Sequence, residues 1–124
     1  MKRILLLLAL LSGLLYAKGM IISNVEVGKA EILPDEVAKI YLGQMSVWEN
    51  GSRITVGYVR SKSDVRKHFF KALVGKSYKQ FKKHWLKKVF SGGGVAPTGF
   101  KTQSQAVSFV QNNSGAIAFI DTDE

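Results

Sequence analysis

Cysteine is absent from all 124 residues of the chain. Within this sequence that excludes disulfides, thiolate metal sites, a cysteine nucleophile and a lipid-bearing cysteine. Histidine occurs only twice, as His68 and His84. Neither is accompanied by the cysteine or carboxylate cluster that metal or triad chemistry requires. The expectation is a protein that is not an enzyme, with no metal site and no cofactor. A long apolar run is also missing. Ile4 to Leu11 is too short to span a bilayer comfortably, and Ser12 and Gly13 interrupt it. Acid is scarce too, with 9 Asp and Glu against 18 Lys and Arg, a net charge of +9.

The N-terminus has the grammar of an export signal. Met1-Lys2-Arg3 is basic, Ile4–Leu11 is apolar, and Ala17 is small. Residues 1–17 are therefore expected to be a signal peptide, and residues 18–124 a single soluble periplasmic domain without stable membrane insertion after cleavage. An uncleaved N-terminal anchor is the alternative. About 107 mature residues are enough to build one core without disulfides.

The positive charge is local. From Arg60 to Lys88 there are eleven Lys or Arg and one acid, Asp64. Nucleic acid, anionic lipid or a small anion would each suit such a block, as would simple solvation of two helix faces. An export signal and the lack of a recognised module argue against nucleic acid.

The mature chain alternates strand-like and helix-like stretches, which implies an α/β domain with a small mixed sheet flanked by helices. Met20–Val27, Ile54–Val59 and Ala116–Ile120 are apolar and partly β-branched, as strands are. Pro34-Asp35-Glu36 suits the first turn of a helix that presents Val37, Ile40 and Tyr41 inward. Ser77 to Gln80 and Thr102 to Gln105 have capping-box spacing, in which each N-cap hydroxyl and third-position amide reciprocally satisfy backbone N–H groups. Tyr78, Phe81, Trp85 and Val89 then form one apolar stripe, with Lys79, Lys82, Lys83, Lys87 and Lys88 opposite. That stripe suits the core, together with Phe69 and Leu73, and its basic amphipathic character also fits a membrane surface. Trp48 reads as a packing anchor, and Ser91–Gly94 and Pro97–Gly99 as irregular chain.

Between the strand Ile54–Val59 and a helix carrying Val65, Phe69 and Leu73 lies Arg60-Ser61-Lys62-Ser63. Ser63 is a natural N-cap, and the free amides and positive dipole end of the first turn favour an anion. Ser61, Lys62, Ser63 and Arg66 are the candidate anion-binding residues. The plain alternative is an ordinary capped helix with solvated basic residues.

Tyr41-Leu42-Gly43-Gln44, Trp48-Glu49-Asn50-Gly51-Ser52-Arg53-Ile54, Val89-Phe90-Ser91-Gly92 and Ser114–Ile120 follow one another in an order that resembles the phosphate-binding proteins of ABC transporters, in the periplasmic binding protein superfamily. The likeness runs from about Ile21 to Ile120. It implies one lobe of that fold, with Ser63-Asp64-Val65-Arg66 at the place of the family's S-G-T-R oxyanion motif. Asp64 and Val65 depart from that motif, and the chain has the length of one lobe where the family has two. The function so implied is an exported solute-binding-like module for phosphate or a related small oxyanion, linked to an ABC-type transporter or a sensor protein. A non-binding relative acting as a protein-interaction or assembly module is the alternative.

Overall fold

The computed structural model describes residues 4–5, 19–29, 32–60 and 64–121. Its centre is β5, Ala116–Asp121, of which every residue is buried. A strand flanked on both sides and covered on both faces must be apolar nearly throughout, and Ala-Ile-Ala-Phe-Ile meets that condition. Strand β2, Gly19–Asn24, pairs antiparallel with it, and β3, Thr55–Val59, pairs parallel on its other edge. The short β4, Thr98–Phe100, adds parallel to β3. Two residues, Ile4–Leu5 (β1), pair antiparallel with Ser23–Asn24. The mixed sheet therefore runs β1-β2-β5-β3-β4. The rest of the expected signal segment lies outside the described residues.

Strand alternation divides the core in two. Ile21, Tyr58, Ile117 and Phe119 face one layer of helices: α1 (Pro34–Tyr41), α2 (Asp64–Phe69) and α3 (Tyr78–Phe90). Ile22, Val59, Ala118 and Ile120 face α4, Gln103–Asn112, through Ala106 and Val110. The domain is a mixed α/β fold with helices on both faces of the sheet. Among the described residues, no helix is long and apolar enough to cross a membrane.

Local chemistry explains the helix starts. The Ser77 hydroxyl accepts the Gln80 amide at 3.1 Å, and the Gln80 side chain accepts the Ser77 amide at 2.9 Å. Thr102 and Gln105 repeat the exchange at 3.1 and 3.3 Å. Helix α1 uses half of it, the Glu36 carboxylate accepting the Leu33 amide at 3.0 Å. Trp48 anchors its loop by donating Nε1–H to the Gly115 carbonyl at 2.9 Å.

Four sequence expectations change. The first strand, expected over Met20–Val27, ends at Asn24, whose side chain accepts the Glu26 amide at 2.8 Å and caps a short 3-10 turn, Val25–Val27. Pro97–Gly99 is not wholly irregular, because Thr98–Phe100 forms β4. The helix begun at Asp64 widens into a π turn, Phe70–Val74, closed by Gly75 at φ 85°. The Gly75 amide bonds the Phe70 carbonyl, five residues back, at 2.7 Å. This extra residue per turn moves Phe70 and Val74 into the core and leaves Leu73 only half-buried. Val89, expected on the buried stripe of α3, is also exposed. It lines the open groove between α3 and Ala96–Pro97 instead.

Candidate functional site

The carboxyl ends of parallel strands are the usual binding edge of an α/β sheet, so they come first. Arg60 follows β3 and donates its amide to the Phe100 carbonyl at 2.7 Å. Lys101 follows β4, and the buried carboxylate Asp121 ends β5. Arg66, in the first turn of α2, is 9 % exposed. Its Nη1 donates to the Arg60 carbonyl at 3.2 Å, and its guanidinium lies 3.9 Å from the centre of the Tyr78 ring. The planar fork that suits an oxyanion is thus stacked on an aromatic face and bonded to backbone. Ser61, Lys62 and Ser63 lie outside the described residues. Of the four candidates the structure therefore places Arg66 alone, beside Arg60 at the end of β3. Asp64 is exposed at the start of α2.

The tyrosines nearby serve packing. Burial raises the Tyr58 hydroxyl well above its ordinary pKa, and the 3.2 Å hydrogen bond with Tyr78 adds to the shift. Burial does the same to Tyr41, whose hydroxyl donates to the Gly57 carbonyl at 2.7 Å. Both stay neutral at physiological pH. His84 donates through Nε2 to the Leu42 carbonyl at 2.9 Å, so it is a structural link between α3 and the end of α1. Among the described residues, no group of three or more His, Cys, Asp or Glu is placed to hold a metal ion.

A second region has a different character. The inner face of α3 is ordinary core: Phe81 is buried, and Trp85 is buried with its Nε1–H on the Tyr41 carbonyl at 2.9 Å. Gly43 permits that approach, since a Cβ there would sit 2.7 Å from the Trp85 ring. The outer face is apolar as well. Leu86 is 71 % exposed, Val89 47 %, Phe90 90 % and, in the loop beyond, Val95 89 %. Leu86 forms a ridge between two open grooves. One, of about 280 Å³, runs between α3 and Ala96–Pro97 and is floored by Tyr58 and Trp85. The other, of about 750 Å³, is bordered by Lys76, Lys83, Lys87 and Phe90.

Charge around this ridge has one sign. The thirteen residues of α3 contain five lysines and no acid. Lys87 and Lys88 sit in the last turn, where they complement the helix dipole. Lys79 lies in the first turn, where the dipole disfavours a cation, and Lys82 and Lys83 lie in the turn after it. Lys82 lies 5.4 Å from the Tyr78 ring centre and Lys88 lies 5.9 Å from that of Trp85. Lys83 and Lys87, one turn apart, line the larger groove on one side of Leu86.

Leu86, Phe90 and Val95 were not legible as functional candidates from the stripe alone. A signal existed: at about 100° per residue, positions 86 and 90 fall about 40° apart, well away from Phe81 and Trp85. No family model, curated protein or solved structure matches the chain.

Proposed function

We propose that the chain is an exported, non-catalytic α/β docking module that works through the outer face of α3. One observation carries this: Leu86, Phe90 and Val95 project into solvent at the end of a helix whose charged residues are all lysine. Single exposed apolar side chains need no explanation. Several together, rimmed by charge and flanked by open grooves, mark a surface that a partner covers. Export rests on the N-terminal pattern, and periplasmic location follows from it.

A second reading is a weak oxyanion site at the ends of β3 and β4, in keeping with the resemblance to phosphate-binding proteins. It is favoured by the gathering of Arg60, Arg66 and Lys101 at that edge. Arg66 stacked on Tyr78, exposed Asp64 and buried Asp121 work against it, because they engage one cation and bring negative charge nearby. Calorimetry with phosphate on wild type and Arg66→Ala separates the two: saturable heat lost in the variant restores the oxyanion reading.

The docking reading is tested in the native cell envelope. Wild type is expected to be retained on envelope material, and the double variant Leu86→Ser, Phe90→Ser to be released with unchanged far-UV circular dichroism. Equal retention of the two proteins ends the reading.

A further inference from the structure

We infer that the partner of the α3 face is an anionic lipid surface, into which Leu86, Phe90 and Val95 insert while Lys79, Lys83 and Lys87 contact the headgroups. The inference rests on the docking reading and names its partner. Three features select lipid over other occupants. The apolar groups project from the helix as a ridge, and a ridge needs no complementary pocket when its partner is fluid hydrocarbon. Lysine stems are apolar and long enough to lie along that ridge and keep their ammonium groups at headgroup level. The charge is also complementary: each lysine near an anionic leaflet contributes about 1 kcal/mol, which is roughly fivefold in affinity.

A second copy of the chain fits poorly. A two-fold contact through this face would bring Lys79, Lys83 and Lys87 of each α3 together without an acid on either helix. The geometry also explains how α3 can serve the core and a membrane at once. Phe81, packed on Tyr58 and Phe70, and Trp85, bonded to the Tyr41 carbonyl at the end of α1, hold the helix to the core from one side. Leu86 and Phe90 then stand about 100–180° away on the opposite side. The domain lies on the surface and does not cross it, as an interfacial helix does.

The absence of cysteine makes the test clean. An environment-sensitive fluorophore is attached to Leu86→Cys and, as a control on the far side of the sheet, to the exposed Ser104→Cys, each in the otherwise full chain. With vesicles of phosphatidylglycerol mixed with phosphatidylcholine, the label at position 86 is expected to shift to the blue, and that at 104 to stay as in water. Because both proteins share the same N-terminus, the difference reports α3 and not residues 1–17. Adding Phe90→Ser should weaken the titration at position 86 by about 10- to 100-fold, the range for withdrawing one large apolar side chain from hydrocarbon. Lys83→Glu with Lys87→Glu should weaken it by about 30-fold or more. About 1 M salt should weaken wild type in the same direction. An unshifted label at 86, or titrations that ignore these substitutions, overturns the lipid proposal. If vesicles fail while envelope retention still depends on Leu86 and Phe90, the partner is a protein: the docking reading stands and the lipid falls.

Discussion

Helices α3 and α4 begin alike and end differently. Both open on a reciprocal capping box, and both bury two residues fully, Phe81 and Trp85 in one, Ala106 and Val110 in the other. On their outer faces they have little in common. Helix α4 carries no charge in its ten residues and leaves no large apolar side chain fully exposed. Helix α3 carries five lysines and exposes Leu86 and Phe90. Folding constrains a helix through its caps and its inner face. Once those are satisfied, the outer face is free to report a partner, and only α3 has something to report.

The comparison is sharpened most by truncating the inner faces. Trp85→Ala should destabilise by about 3–5 kcal/mol, because it removes a large buried ring and leaves the Tyr41 carbonyl without its donor. Val110→Ala in α4 should cost about 2 kcal/mol, as only two methyl groups are lost. Urea denaturation of both variants checks the order, and the reverse ranking would mean that α4, not α3, supports the larger core.

The caps should show no such difference. Ser77→Ala and Thr102→Ala are each expected to cost about 1 kcal/mol. A much larger effect at Ser77 would break the claim that the two helices start on equal terms.

Helix α1 supplies a smaller reference. Burial opposes the Glu36 carboxylate, but the Leu33 amide and Lys29, bonded at 3.0 Å, outweigh it and hold its pKa below the ordinary value. A carboxylate with a lowered folded pKa stabilises above its unfolded pKa, and the contribution disappears as pH falls through the folded value. Glu36→Gln should therefore cost about 0.5 kcal/mol at neutral pH, a typical figure for an accessible pair. At pH well below that lowered folded pKa, thermal unfolding of variant and wild type should coincide.

The smallest expected effect is the most informative about function. Phe90→Ser should change stability by less than about 0.5 kcal/mol, since the ring touches little of the protein. A stability loss above 2 kcal/mol would make Phe90 a structural residue and remove the outer face of α3 from consideration.

Much of this fold was legible beforehand. Both capping boxes and the apolar strands at Ile54–Val59 and Ala116–Ile120 depend on neighbours within a few residues. Their chemistry is complete in the local sequence. Trp48 was legible as an anchor, but its partner, the Gly115 carbonyl, was not, because it lies far along the chain. The candidate site was less legible. Arg66 reads as an anion-binding fork on a helix start, yet its nearest aromatic partner, Tyr78, lies twelve residues on in another helix, and no local rule places it there. Strand β4 is three residues long, too short for alternation to declare itself.

The stretch Tyr78–Phe90 shows where the boundary falls. By itself the sequence determined that these residues form a capped, amphipathic and strongly basic helix, because periodicity, cap and charge are properties of one segment. Only the tertiary structure decided that Phe81 meets Tyr58 and Phe70 and that Trp85 meets the end of α1, while Val89 stays out along a groove and Leu86 and Phe90 face solvent. Burial is a competition among side chains for a finite surface. A pattern can enter every apolar residue, but packing decides which of them the core has room to cover.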